Sequence, residues 1–313
     1  MKVTDTFGRT FKKLRISVTS SCNYLCEYCV PEGYSHQRKQ SLPPDELAAI
    51  ALKINKVTPL SSIRITGGEP LLYKGLPELV SRLKQAGIAK VSLTSNGSIL
   101  ATRVPALLAA GLDSVNISLD SLDENIFRAL SRTGKLQDVL DSIAACQDKG
   151  LAVKLNSTVV KNSNDSQILP LLEFAMENNI AVRYIELMEM GHLKNHMPEK
   201  LFLSRDILSI ISQKYKINPV KRDAGSTADY WETETGYRFG IISNISKPFC
   251  EDCDRLRLSS EGQIFGCLSV NQGFDGTRLD TEDATAFILG RALAQKQDKK
   301  FTGSDLSMRS IGG

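Results

Sequence analysis

The sequence predicts an α/β fold: a partial (β/α)6 barrel followed by a C-terminal strand-containing region. Two observations carry that reading. Six short β-branched runs between residues 15 and 189 alternate with helix-like stretches, and such alternation means βαβ units on a parallel sheet. Six units fall short of the eight of a closed barrel. The pattern then breaks after about Gly191, where turns and short alternating runs replace it. The expected division is 1–191 for the barrel and 192–313 for the C-terminal region.

The elements follow in order. Strands are expected at "RISVT" (15–19), "SIRIT" (62–66), "KVSLTSNG" (90–97), "SVNISLD" (114–120), "VKLNSTVV" (153–160) and "VRYIELME" (182–189). Helices are expected at 44–55, 76–86, 104–110, 136–149 and 165–178, several ending at a residue suited to a C-cap: Gly87, Gly111, Gly150 and Asn179. In the second region 201–215 reads as an amphipathic helix. "DRLRL" and "QIFGC" read as two strands joined by "SSEG", with Leu258 opposite Gln263. In (β/α) folds chemistry sits at the C-terminal ends of the strands. There lie a cysteine-rich loop, "GGEP", "TSNG" and "LD".

At 313 residues the chain buries a proper core, and its 42% apolar and 24% charged residues are those of a folded globular protein. A net charge of +4 does not call for nucleic acid, but it suits an anionic substrate. The first residues hold no apolar signal core, and no run approaches a membrane span. The expectation is therefore a cytoplasmic protein with no membrane partner. Seven cysteines, an odd number, argue against a disulfide framework and for ligand duty.

Cys22, Cys26 and Cys29 are spaced C-x3-C-x2-C directly after the first strand. A zinc site completed by His36 is one reading. The other is a cubane [4Fe–4S] cluster, which normally takes four thiolates. Three leave one iron open to a chelate such as the amino and carboxylate groups of S-adenosylmethionine (SAM). "GGEP" (67–70), after the second strand, offers glycines for close backbone approach. Cys250, Cys253 and Cys267 form a second trio, C-x2-C-x13-C, gathered by the hairpin. A second open cubane follows, with an iron free for a substrate. Arg255 and Arg257 share one strand face, and Arg15, Arg64, Lys154 and Arg183 interrupt otherwise apolar strands. Guanidinium forks converging on one lumen suit a triphosphate. Cys146 reads as core. His36, His192 and His196 show no ligand spacing.

The first trio, with Tyr28 before its last cysteine, resembles the radical SAM superfamily signature, and "GGEP" resembles that superfamily's loop for the SAM amino group. The two trios, "RLRL" and the terminal Gly-Gly together resemble the GTP 3′,8-cyclase family, over nearly the whole chain. The resemblance implies a lyase of molybdenum cofactor biosynthesis with two [4Fe–4S] clusters and SAM as cofactors. It would convert GTP to 3′,8-cyclo-7,8-dihydroguanosine 5′-triphosphate. It implies SAM contacts at Tyr28, Gly68, Ser118 and Met188. GTP contacts would fall at Arg15, Arg64, Ser95, Lys154, Arg255, Leu256 and Arg257. Arg183 and the tail glycines Gly312 and Gly313 would serve catalysis. It further implies a one-electron reductant protein, a downstream cyclic pyranopterin monophosphate synthase and a homodimer. Three positions depart from the family pattern. Ser95 keeps a hydroxyl where threonine is usual. Ser62 replaces a lysine and removes one expected phosphate contact. Asp254 replaces an asparagine beside the second trio. The rival readings are a radical SAM peptide-modifying enzyme, whose auxiliary domain would carry more cysteines, and a non-enzymatic metal-binding protein.

Overall fold

The computed structural model describes residues 3–34, 40–194 and 198–312, so His36, His196 and Gly313 lie outside the described residues. Six parallel strands form as the alternation predicts: β1 (Lys13–Ser17), β2 (Ser62–Thr66), β3 (Val91–Ser95), β4 (Ser114–Ser118), β5 (Ala152–Val159) and β6 (Ala181–Glu186). Helices α1 (Pro44–Val57), α2 (Leu76–Gln85), α3 (Val104–Ala109), α4 (Glu124–Ser131), α5 (Leu136–Asp148) and α6 (Ile168–Glu177) connect them. Of these only α4 was not anticipated. Asp123 caps it, its carboxylate accepting from the backbone N–H of Asn125 and Ile126.

Local chemistry explains the elements. Helix α1 has proline in its first turn, Asp45 and Glu46 at its positive end and Lys56 at its negative end. Along β1 and β2 successive side chains point to opposite faces. Leu14, Ile16, Ile63 and Ile65 are buried in the helix-covered core, while Arg15 and Arg64, between them, line the central cavity. Cys146 is fully buried in α5, as expected of a core residue.

The C-terminal region holds α7 (Ser204–Ser212), β7 (Ile217–Val220), β8 (Asp229–Thr233), β9 (Arg238–Ile242), β10 (Arg255–Leu258), β11 (Gln263–Phe265), β12 (Phe274–Asp275), α8 (Glu282–Ala294) and α9 (Met308–Ile311). Its strands extend the barrel sheet from both ends, giving the order β12-β11-β10-β1-β2-β3-β4-β5-β6-β9-β8-β7. Strand β9 runs parallel to β6, and β10 parallel to β1. The hairpin β10–β11 corrects the expected register by one residue: Leu258 pairs with Ile264, not Gln263. The cause is a shorter turn. Ser259 N–H donates to the Gln263 carbonyl, and Gly262 N–H donates to the Ser259 carbonyl, closing a three-residue loop. Among the described residues no helix is long and apolar enough to cross a membrane.

Candidate active site

Strand register creates the central feature. Arg15 of β1 lies level with Arg257 of β10 on one side and Arg64 of β2 on the other. Three guanidinium-bearing residues therefore stand on adjacent strands, spaced by the roughly 4.8 Å between strands. All three line one cavity of about 640 Å³, together with Arg183, Arg255 and all six cysteines of the two trios. Burial, then mutual repulsion, pushes Arg15 well below its usual range and brings Arg64 and Arg257 down to about 10. Such a row is costly unless an anion compensates it. Arg183 is oriented from the next strand, its Nε and Nη2 donating to Asn156 Oδ1 at 3.1 and 2.7 Å.

The first cysteine loop is locked onto the loop after β2. Gly68 N–H donates to the Thr19 carbonyl (2.7 Å) and Glu69 N–H to the Ser21 carbonyl (2.8 Å). A Cβ at Gly68 would meet Ser21 O at 2.3 Å, so glycine is required here by the cysteine loop's own backbone. Buried Glu69 accepts from Leu71 N–H, Asn96 N–H and Ser95 Oγ, and burial still raises its carboxyl to about 7. The Ser95 hydroxyl thus serves the Glu69 clamp. Tyr28 donates to Asp120 at 2.6 Å; burial raises that carboxyl to about 6. Burial also raises the thiols of Cys22, Cys26 and Cys29, the last to about 11.

The second trio has a different environment. Buried Lys296, from the chain just after α8, donates to Cys253 Sγ (3.2 Å) and to the Arg255 carbonyl (2.9 Å). Burial would raise the Cys253 thiol, but Arg255 and Lys296 outweigh it and hold it at about 6. Burial pushes Cys250 up to about 11. Arg255 packs over the Phe249 ring at 4.8 Å, and its Nη2 is buried without a partner. Asp254 is paired with Lys13 (2.9 Å), so its extra charge is locally balanced. Lys13 also stands level with Ser62 and lines the cavity with Lys90. With Lys13 paired to Asp254, Lys90 is the lysine left to face an anion at that end.

The C-terminal segment is packed against the site. Arg257 Nη1 donates to the carbonyls of Ile311 and Gly312. Arg309 and Ile311 are buried.

Of the residues singled out in the sequence, Tyr28, Gly68, Ser95, Ser118, Met188 and the arginines 15, 64, 183, 255 and 257 all line the cavity. Leu256 is buried in the core behind it. Lys154 is exposed near the start of β5, where partial burial and then Arg183, Lys90 and Arg64 depress its ammonium. His192 contacts the Glu27 carbonyl at 2.9 Å. Sequence reasoning missed Lys296, Arg309 and Asn156. The first two lie in "AQKQDKK" and "SMRSIGG", where lysine or arginine usually means a solvated surface.

The donor sets fit iron–sulfur clusters. All six cysteines are free of disulfides. Six half-buried thiols facing one cavity suit a cubane, which takes its thiolates on several irons.

Two family models match the chain, the radical SAM superfamily over residues 16–175 and Molybdenum Cofactor Synthesis C over residues 180–302. The fold is shared with Streptococcus suis SuiB bound to S-adenosylmethionine (TM-score 0.66, 18% identity, covering 88% of this chain and 65% of that one). The chain is 38% identical over 304 residues to GTP 3′,8-cyclase of Marinobacter nauticus, covering 96% of this chain and 92% of that one. It is 39% identical over 274 residues to the Helicobacter pylori protein of the same name, covering 87% and 84%. The chain belongs to the GTP 3′,8-cyclase family of the radical SAM superfamily.

Proposed function

We propose that this protein is a radical SAM lyase that converts GTP to 3′,8-cyclo-7,8-dihydroguanosine 5′-triphosphate for molybdenum cofactor biosynthesis. The observation that carries the reading is the arginine row, Arg257–Arg15–Arg64, in one cavity with both cysteine trios. A peptide substrate gives no reason for three adjacent guanidiniums on one cavity wall. A triphosphate does, because each fork can hold two anionic oxygens.

Cys22, Cys26 and Cys29 would hold one [4Fe–4S] cluster, which, when bound with SAM, supplies the one-electron cleavage that yields a 5′-deoxyadenosyl radical. Cys250, Cys253 and Cys267 would hold a second cluster facing the purine. Tyr28, Gly68, Ser118 and Met188 would position SAM. Arg15, Arg64 and Arg255 would bind the triphosphate, with Lys154 at the rim. Ser95 would act through Glu69. Arg183, braced by Asn156, would face the ribose, where hydrogen leaves C3′ before that carbon bonds to guanine C8. Arg257 would hold both phosphate and tail. Domain limits of 1–191 and 192–313 would put the first trio and most of the phosphate-binding cations in the barrel, and the second trio in the C-terminal region. A cytoplasmic homodimer, supplied by a one-electron reductant protein and drained by a cyclic pyranopterin monophosphate synthase, completes the reading.

The test is anaerobic reconstitution followed by one incubation with SAM, dithionite and GTP. About eight irons per chain, the count for two cubanes, and a cyclised nucleotide formed with 5′-deoxyadenosine are expected. Zinc in place of iron, or SAM cleavage that never depends on GTP, would refute the proposal.

A further inference from the structure

The tail carries one cation that the proposed chemistry leaves unused. Arg309 of α9 is only 4% exposed and lines the cavity. Its Nη2 donates to the Tyr24 carbonyl, inside the first cysteine loop. Its Nε and Nη1 are buried with no partner, and the guanidinium lies 5.4 Å from the centre of the Tyr34 ring. The surrounding backbone is tied to the same place. Ser307 Oγ reaches the Cys29 carbonyl (3.5 Å), and Ser17 Oγ at the end of β1 donates to the Arg309 carbonyl (3.3 Å). Two and three residues further on, the Ile311 and Gly312 carbonyls accept from Arg257. Helix α9 therefore spans from the first trio to the arginine row.

Two buried guanidinium donors without acceptors cost free energy that an anion would recover. The first trio, whose loop Arg309 already holds through the Tyr24 carbonyl, offers such an anion. The Nη2 bond of Arg309 ends on that carbonyl, between Cys22 and Cys26, and Ser307 Oγ meets the Cys29 carbonyl. Three thiolates around a cubane carry net negative charge, and hydrogen bonds and charge near the sulfurs tune such a cluster.

We infer that Arg309 is a positioning residue that seats the C-terminal tail on the first cysteine trio. Its free Nε and Nη1 face the anionic thiolate group, so loading the trio and seating the tail stabilise each other. The inference rests on the reading of Cys22, Cys26 and Cys29 as cluster ligands and not on the identity of the nucleotide.

The experiment uses the full chain, empty or anaerobically reconstituted, without GTP. Amide hydrogen exchange over residues 304–312 reports tail seating. Electron paramagnetic resonance during reductive titration reports the first cluster's midpoint potential. Charge-assisted hydrogen bonds contribute about 1.5–3 kcal/mol, so loading should slow tail exchange in the wild type by roughly tenfold or more. Arg309→Gln should lose that slowing and lower the first cluster's midpoint while leaving the second unchanged. Arg309→Lys should keep most of both. If Arg309→Gln does not fold, Cys22→Ser/Cys26→Ser/Cys29→Ser, which keeps Arg309, must show a tail that reconstitution no longer protects. Iron uptake with tail exchange unchanged in the wild type, or equally slowed in Arg309→Gln or in the cysteine variant, overturns the inference alone. Absence of iron at the first trio in the wild type overturns the cluster reading and the inference with it.

Discussion

Gly312→Ala isolates the tail geometry by adding one methyl group. Gly312 has φ near +73°, where a side chain is strained, and the new Cβ would sit 2.5 Å from Thr66 Cγ2 and 3.4 Å from Ser17 Cβ. The backbone conformation costs about 1–2 kcal/mol for alanine. Thr66 is β-branched and stiff at χ1, so moving its methyl aside adds about 0.5–1.5 kcal/mol. Together these shift the seating equilibrium by roughly ten- to three-hundredfold. The assay is anaerobic turnover, scored as cyclised nucleotide per 5′-deoxyadenosine, with hydrogen exchange over 304–312 as the structural readout. The variant should uncouple SAM cleavage from cyclisation while retaining iron. Adding Thr66→Ser, which removes Cγ2 and keeps the hydroxyl, should return about the steric part of the loss, up to tenfold. Wild-type coupling and exchange in Gly312→Ala would show that the seated tail is not the working form.

Four further outcomes follow from the same geometry. Cys267→Ser should lose about half the iron, the share of one of two cubanes, and all cyclisation while still binding SAM; full iron content on analysis would remove Cys267 from the ligand set. Arg255→Ala should weaken GTP binding by about tenfold or more and leave guanosine binding nearly unchanged, and calorimetry showing equal losses would assign Arg255 another role. In the metal-free protein Lys296→Met should raise the pH at which Cys253 is alkylated above its native value of about 6, because a neighbouring positive charge is removed; an unchanged or lower midpoint contradicts the contact. Glu69 has its carboxyl raised from 4.5 to about 7 by burial, so its stabilising contribution is full below about pH 4.5 and is lost as pH rises through 7. Glu69→Gln should therefore be most destabilising, relative to wild type, near pH 5, and the difference should shrink toward pH 8 by on the order of 3 kcal/mol; denaturant unfolding showing the reverse trend would sink the assignment.

Much of this architecture was legible because the relevant signals are local. A β-branched run with alternating burial, such as Ser62–Thr66, states its own face pattern, and cysteine spacing within one loop needs no knowledge of distant chain. The hairpin register was misjudged by one residue because a three-residue and a four-residue loop fit "SSEG" equally well. Only the hydrogen bonds of Ser259 decide between them. Helix α4 escaped because eight residues give barely two turns of periodicity, although "SLD" does supply its cap.

What remained hidden is the pairing of each cysteine trio with a buried cation from far along the chain. Lys296 reaches Cys253 across 43 residues, and Arg309 reaches Tyr24 across 285. Neither Lys296 nor Arg309 is marked as buried by its neighbours in sequence, although Leu306, Met308 and Ile311 do pack the tail against Met190 and Phe265. The two cations also differ in what they can do. Lys296 is a point charge against a single sulfur and acts on one ligand. The Arg309 fork keeps two free donors beside the first trio while its own backbone leads to Gly312. On the proposed reading, an anion gathered there is coupled to tail position, whereas Lys296 is tied to Cys253 and the Arg255 carbonyl.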